Sequence, residues 1–336
     1  PGKIGSRTAR ERADWAGALK LVTSIVFVLL ASSLTAACVH SAIYKNRAED
    51  RWPAIGDMVE VNGEDVHVIR SGDAGPVILM IHGASANARE FTSTLAPRLD
   101  AAHRVLMADR PGHGYSERPD DSDELATQAA QMAGVLKSLA PDEKAVLVGH
   151  SFGGAVALRV ALDYPELVKG LVLLAPVTHD WGGGGVAWYN KYASPPVLGP
   201  LFAQLAPVAG PAQVKNGIDS VFHPDEVPDD YYASAGLGLL FRPQEFRANA
   251  RDVNALKDEL AAQQARYDQI DVPVVLFSGA EDTVINPTLH AGKIKHQIDD
   301  FTLIPLAQSG HMPHHAHGQA VADTIADLAR KADQSS

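Results

Sequence analysis

Cysteine is almost absent. Cys38 is the single one in 336 residues, so no disulfide can close within the chain and packing must hold the fold. Basic side chains are in deficit as well: 29 Lys and Arg stand against 40 Asp and Glu, a formal net charge of -11 that argues against nucleic acid as a partner. No phosphate-cradling glycine loop of the dinucleotide or P-loop kind occurs, and no internal repeat, so neither a cofactor nor a solenoid is expected. What is present is 46% hydrophobic content, which excludes wholesale disorder, and a length suited to one sizeable α/β domain with an insertion. Nothing in the composition speaks to oligomeric state.

The most informative stretch is Val146-Leu147-Val148-Gly149-His150-Ser151-Phe152-Gly153-Gly154-Ala155. An apolar run, a Gly-x-Ser-x-Gly pentapeptide and a small-residue helix specify a nucleophile elbow. A serine hydroxyl stands free at the end of a buried strand only if the chain reverses within one residue, which forces that residue into strained φ/ψ space. Gly149 and Gly153 remove the side chains that would collide in so tight a turn. The helix that follows aims its free N–H groups at the reacting atom, so the N–H of Phe152 is a candidate oxyanion donor.

A nucleophilic serine needs an orienting acid and a base, in the chain order serine, acid, histidine. After the strand-like run Val272-Pro273-Val274-Val275-Leu276-Phe277 come Glu281 and Asp282, and Asp282 is read as the acid. After Phe301-Thr302-Leu303-Ile304 comes Gly310-His311, and His311 is read as the general base. Upstream, Val77-Ile78-Leu79-Met80-Ile81 runs into His82-Gly83-Ala84, where the N–H of Ala84 would be the second oxyanion donor.

Together these motifs resemble the α/β-hydrolase fold superfamily over residues 55–330. Asp109-Arg110-Pro111-Gly112-His113-Gly114 is similar to the turn after the fourth strand in its epoxide hydrolase, haloalkane dehalogenase, esterase and carbon-carbon hydrolase branch. The resemblance implies a mostly parallel eight-stranded sheet with helices on both faces, formed by 55–179 and 269–336. It also implies a mainly helical cap over 180–268, and it favours Asp282 over Glu281. Gly83, His150 and Trp181 are further candidates for the substrate pocket. Epoxide hydrolases and dehalogenases attack with aspartate, whereas Ser151 calls for acyl transfer. The expected activity is therefore a carboxylesterase acting on a small-molecule ester with an apolar portion, because the cap is rich in aromatics. Two alternatives stand beside it. One is hydrolysis of a carbon-carbon bond in an anionic substrate, which would want Arg242, Arg247 or Arg251 facing the pocket. The other is a non-enzymatic ligand receptor that kept the triad.

Several features have plainer readings. His82 and His150 are expected to serve packing and loop hydrogen bonds. Asp180 is a minor alternative acid, and the glycine run 182–185 is either a hinge or a loose loop. His311, His314, His315 and His317 invite a metal, but no acid or cysteine accompanies them at a recognised spacing, so solvated histidines and no metal site are expected.

Residues 21–39 carry no charge and match the roughly 20 residues needed to cross a bilayer. Lys3, Arg7, Arg10, Arg12 and Lys20 precede them, which puts 1–20 in the cytoplasm and the hydrolase on the exoplasmic or periplasmic side. A retained anchor is the leading reading. A lipoprotein acylated at Cys38, or a cleaved signal, are the others. Residues 40–54, with both charge signs and Pro53, read as a tether, and Asn62-Gly63 reads as the turn of an opening hairpin.

Overall fold

The computed structural model describes residues 9–183 and 186–331. Eight strands, β1 (Asp57–Val61), β2 (Glu64–Ser71), β3 (Val77–Ile81), β4 (Arg104–Ala108), β5 (Ala145–His150), β6 (Val168–Leu174), β7 (Val274–Gly279) and β8 (Phe301–Leu306), form one sheet in the order β1-β2-β4-β3-β5-β6-β7-β8. β1 and β2 pair antiparallel about Asn62 and Gly63, both at positive φ as a two-residue hairpin requires, and β2 is antiparallel to β4. From β4 onward every pairing is parallel.

The helices are α1 (Ala9–Arg51), α2 (Ala96–Leu99), α3 (Leu125–Leu139), α4 (Phe152–Asp163), α5 (Trp188–Ala193), α6 (Leu198–Ala203), α7 (Ala206–Phe222), α8 (Tyr231–Ser234), α9 (Pro243–Gln263), α10 (Pro287–Ile294), α11 (Pro313–Ala316) and α12 (Gly318–Lys331). Side chains alternate across the parallel strands and so build two cores. Leu79, Ile81, Leu147 and Leu171 pack with α3 and α4, while Ile78, Met80, Val146 and Val172 pack with α2 and α12. Between β6 and β7 the strand-helix alternation stops, and α5 to α9 form the inserted segment.

Residues 88–99 form a 3-10 turn at Ala88–Phe91 and the short α2 rather than one continuous helix. The Asn87 side chain accepts from the N–H of Arg89 at 3.0 Å and starts the first turn. Pro97 has no N–H to continue the ladder back to residue 93, so it sits instead in the opening turn of α2.

Most of the expected tether, 40–54, is helical: α1 runs unbroken through the apolar stretch to Arg51. No glycine or proline interrupts 40–52, and Pro53 is the first residue that must stop a helix. The end of α1 is docked on the inserted segment. Ser41 Oγ donates to the Gln204 carbonyl at 2.9 Å, Tyr44 Oη to the Gly238 carbonyl at 3.0 Å and Trp52 Nε1 to the Ala233 carbonyl at 2.8 Å. Arg242 pairs with Glu49 at 2.9 Å, and Ala48 and Trp52 are buried against Leu239. Trp52→Ala removes the largest side chain of this contact, a loss on the order of 3 kcal/mol for a buried tryptophan. Hydrogen exchange of the variant is expected to show lost protection over 41–54 with β5 unchanged; retained protection there would mean that Trp52 does not hold the helix end.

Candidate active site

Ser151 joins β5 to α4 with φ 51° and ψ -115°, a conformation that L side chains rarely adopt. Its neighbours over-determine it. The Ser151 N–H donates to the Leu174 carbonyl at 2.9 Å, and its carbonyl accepts from the N–H groups of Gly154 at 3.0 Å and Val177 at 3.2 Å. A Cβ on Gly149 would lie 2.5 Å from the Gly153 carbonyl oxygen, and one on Gly153 would lie 2.1 Å from that of Ile81. Both glycines are therefore required by close backbone approach. As the first residue of α4, Phe152 has an N–H without an intrahelical acceptor.

His311 and Asp282 are brought together from the loops after β8 and β7: His311 Nδ1 lies 2.7 Å from Asp282 Oδ2, and both side chains are buried. The other carboxylate oxygen of Asp282 accepts from the N–H groups of Val284 at 2.8 Å and Ile285 at 3.0 Å. Glu281 is exposed, and Asp180 is engaged with the Gly182 N–H at 2.8 Å and with Lys257. The His311 loop is held from two sides. Asp225, between α7 and α8, accepts from Ser309 Oγ and from the Gly310 N–H, each at 2.9 Å. His150 Nε2 is 2.9 Å from the His311 carbonyl, and its ring stands 5.0 Å from that of His311. Burial, with His314 and His311 nearby, holds the His150 imidazole well below its ordinary range, so it packs and bonds as a neutral ring.

The loop after β3 lies against the elbow. A Cβ on Gly83 would sit 3.1 Å from Ser151 Cβ and from His150 Nδ1, so a larger residue there would crowd the nucleophile by a few tenths of an ångström. Ala84 follows, half-buried, and Ser85 at φ 55° donates its N–H to Asn249 Oδ1 of α9 at 2.7 Å. His82 is bound on both ring nitrogens, to the Gly83 carbonyl at 2.8 Å and to the Arg110 N–H at 2.9 Å, and burial lowers its pKa to about 3. Trp181 is half-buried against the core beneath α3 and α4. Of the glycine run, residues 184 and 185 lie outside the described residues.

Sequence reasoning missed what steadies this loop. The fully buried Arg110 donates to the carbonyls of His82 and Gly83, each at 3.1 Å, and pairs with Asp252 of α9 at 2.8 Å. Its guanidinium stands 4.2 Å from the Phe152 ring centroid. The motif containing Arg110 was visible; its partner 142 residues away was not.

The expectation of solvated histidines is corrected. His314 and His315 direct Nε2 at Glu90 Oε1, at 2.9 and 2.7 Å, and Tyr231 Oη donates to Glu90 Oε2 at 2.9 Å. Burial alone would raise the Glu90 pKa, but the hydrogen bonds from His314 and His315 hold it well below its ordinary value. Burial lowers the His314 pKa to about 4. An acid does accompany these rings, contributed by the turn after β3 rather than by local sequence. The three side chains form a cluster of potential ligand atoms within 4.8 Å of one another, already bonded among themselves.

A cavity of about 730 Å³ is lined by Glu49, Tyr115, Arg118, Arg242, Arg247 and Arg251 among others, and it includes none of Ser151, Asp282 and His311. The three cap arginines therefore face a space apart from the candidate triad. Arg242 is bound to Glu49 and Glu245, and Arg251 to Asp123.

His82, His150 and His314 all stay neutral in the native state, with pKa values below the ordinary 6.5. The unfolded chain takes up protons that the native state refuses as the pH falls through 6.5 toward 4. The stability these rings support is thus full above the unfolded value and drains away below it. The melting temperature in detergent is expected to drop by roughly 5 °C or more between pH 7.5 and pH 5. Equal values at both would mean that these imidazoles titrate normally.

A family profile described as the alpha/beta hydrolase family matches residues 78–324. The 2-hydroxymuconate semialdehyde hydrolase of Pseudomonas sp. (strain CF600) is 28% identical over 295 residues, covering 85% of this chain and 98% of that one. Among solved structures, the enol-lactonase of Burkholderia xenovorans LB400 superposes with a TM-score of 0.66 at 19% identity, covering 81% of this chain and 99% of the other. The esterase from Exiguobacterium antarcticum does so with a TM-score of 0.63 at 21% identity, covering 82% and 99%. The sheet order, the strained serine and the matched span agree: the chain belongs to the alpha/beta hydrolase family.

Proposed function

We propose that this hydrolase is a membrane-associated serine esterase acting on esters with an apolar portion. The observation that carries the reading is the buried His311–Asp282 pair at 2.7 Å, set on the loops after β8 and β7, with the His311 ring 5.0 Å from that of His150, the residue before a serine held at φ 51°. His311, oriented by Asp282, takes the Ser151 proton as the hydroxyl attacks the ester carbonyl. The N–H groups of Ala84 and Phe152 hold the oxyanion. His311 returns its proton to the departing alcohol, leaving an acyl-enzyme that water, activated by the same ring, hydrolyses to the acid. The separation of the cap arginines from the triad supports a neutral ester over an anionic substrate.

Hydrolysis of a carbon-carbon bond is the second reading, favoured by the end-to-end likeness to the 2-hydroxymuconate semialdehyde hydrolase. Membrane attachment is proposed through α1, the one helix among the described residues long and apolar enough to cross a bilayer. The basic residues ahead of its uncharged stretch 21–39 put the hydrolase on the exoplasmic or periplasmic side.

The full chain in detergent is expected to hydrolyse p-nitrophenyl esters, with an optimum at a medium or long acyl chain, and Ser151→Ala to lose at least about 10³-fold in kcat with its fold intact. Turnover confined to vinylogous diketone acids would overturn the ester reading in favour of carbon-carbon cleavage. Activity that survives Ser151→Ala would overturn both.

A further inference from the structure

Among the described residues beyond 43, eleven large apolar side chains are strongly exposed, and eight of them fall within 188–208. They include Trp188, Tyr192, Val197, Leu198, Leu205 and Val208, with Val197 at 76% exposure. The surrounding segment 186–214 holds one charged residue, Lys191, in a chain that is 21% charged. Single exposed apolar residues need no explanation, but a concentration on one short run of helices marks a surface that something covers.

The way α1 is docked identifies the cover. Ser41, whose hydroxyl donates to the Gln204 carbonyl at 2.9 Å, lies two residues past the uncharged stretch 21–39. Two residues of helix rise about 3 Å, so the α6–α7 junction stands at the level where α1 leaves its apolar length. Leu201 and Leu205 flank Gln204 in the same junction. The helix is not free to swing away, since Tyr44, Glu49 and Trp52 fasten the next three turns to the cap. A bilayer that holds residues 21–39 is thereby brought against α5, α6 and the start of α7. The exposed Trp188, Tyr189 and Tyr192 are the side-chain types that favour the headgroup level.

We propose that the cap face formed by α5, α6 and the first turns of α7 is seated in the interfacial layer of the same bilayer that α1 spans. Anchor and cap then form one rigid membrane-binding unit that fixes the height and tilt of the hydrolase and presents its cap to esters dissolved in the lipid. An apolar helical face of this kind immerses roughly 5 to 10 Å into the headgroup and acyl boundary. The proposal rests on the reading of α1 as a membrane anchor.

The test is spin-label accessibility in the full chain, carrying Cys38→Ser and reconstituted in phosphatidylcholine–phosphatidylglycerol vesicles. Labels are placed singly through Val28→Cys, Leu201→Cys, Val208→Cys and, at the opposite end of the sheet, Lys144→Cys. The label at 28 is expected to be accessible to oxygen and closed to a water-soluble nickel complex. Those at 201 and 208 should show nickel accessibility at least threefold below that at 144, with oxygen accessibility raised. If 28 is immersed but 201 and 208 resemble 144, the cap face lies in water and the proposal fails while the anchor stands. If 28 is itself open to nickel, the anchor reading fails and the proposal with it. If 201 and 208 are closed to both reagents and show spin-spin broadening, a second copy covers the face and the bilayer is overturned as its occupant.

Discussion

The buried guanidinium of Arg110 is the contact on which the candidate site most depends. A charge wholly removed from water is tolerable only when its hydrogen-bonding capacity is met with good geometry, and here the partners come from every part that must be aligned. Its donors reach the His82 and Gly83 carbonyls of the loop that approaches Ser151, Gln128 of α3 and Asp252 of α9, and its face covers Phe152 at the start of the elbow helix. Fixing the Gly83 carbonyl also fixes the peptide plane that it shares with the Ala84 N–H. His82 completes the arrangement as a neutral ring accepting the Arg110 N–H. A second charge there would oppose the guanidinium, in keeping with its lowered pKa, to which burial contributes first and Arg110 next.

The same logic extends through the inserted segment. Asp252 also takes Arg118, Asn249 receives the Ser85 N–H, Asp225 holds the backbone ahead of His311, and Tyr231 reaches Glu90. These are buried or half-buried polar contacts between cap and core, each costly to leave unmade. The inserted segment is thus part of the scaffold that holds the loops bearing His311 and Ala84. Glu90 is the clearest case: a buried carboxylate that accepts from two histidines of the base loop and one tyrosine of the cap ties three separate segments at one atom pair.

Because α1 is docked on this cap through Ser41, Tyr44, Glu49 and Trp52, whatever fixes α1 also fixes the orientation of the site. A flexible linker would have left the hydrolase free to tumble relative to the apolar length of α1. The continuous helix removes that freedom, and the reason is local: nothing before Pro53 interrupts helical hydrogen bonding.

The elements legible in the sequence were those written in local terms. Alternation and apolar runs located the strands, Asn62-Gly63 the hairpin, and the glycine spacing around Ser151 the elbow, because steric exclusion acts between neighbours in the chain. Chain order, position after strand-like runs and the family resemblance nominated Asp282 and His311, and the structure sets them 2.7 Å apart. What only the tertiary structure decided were contacts between residues far apart in sequence: Arg110 with Asp252, His314 and His315 with Glu90, and the tether turned docked helix. A histidine cluster reads as solvated until a carboxylate more than 220 positions away is folded against it. Sequence by itself determined where the chain must turn, strain and bury; the closing of those segments on one another determined which buried polar groups found partners, and that pairing holds the site in place.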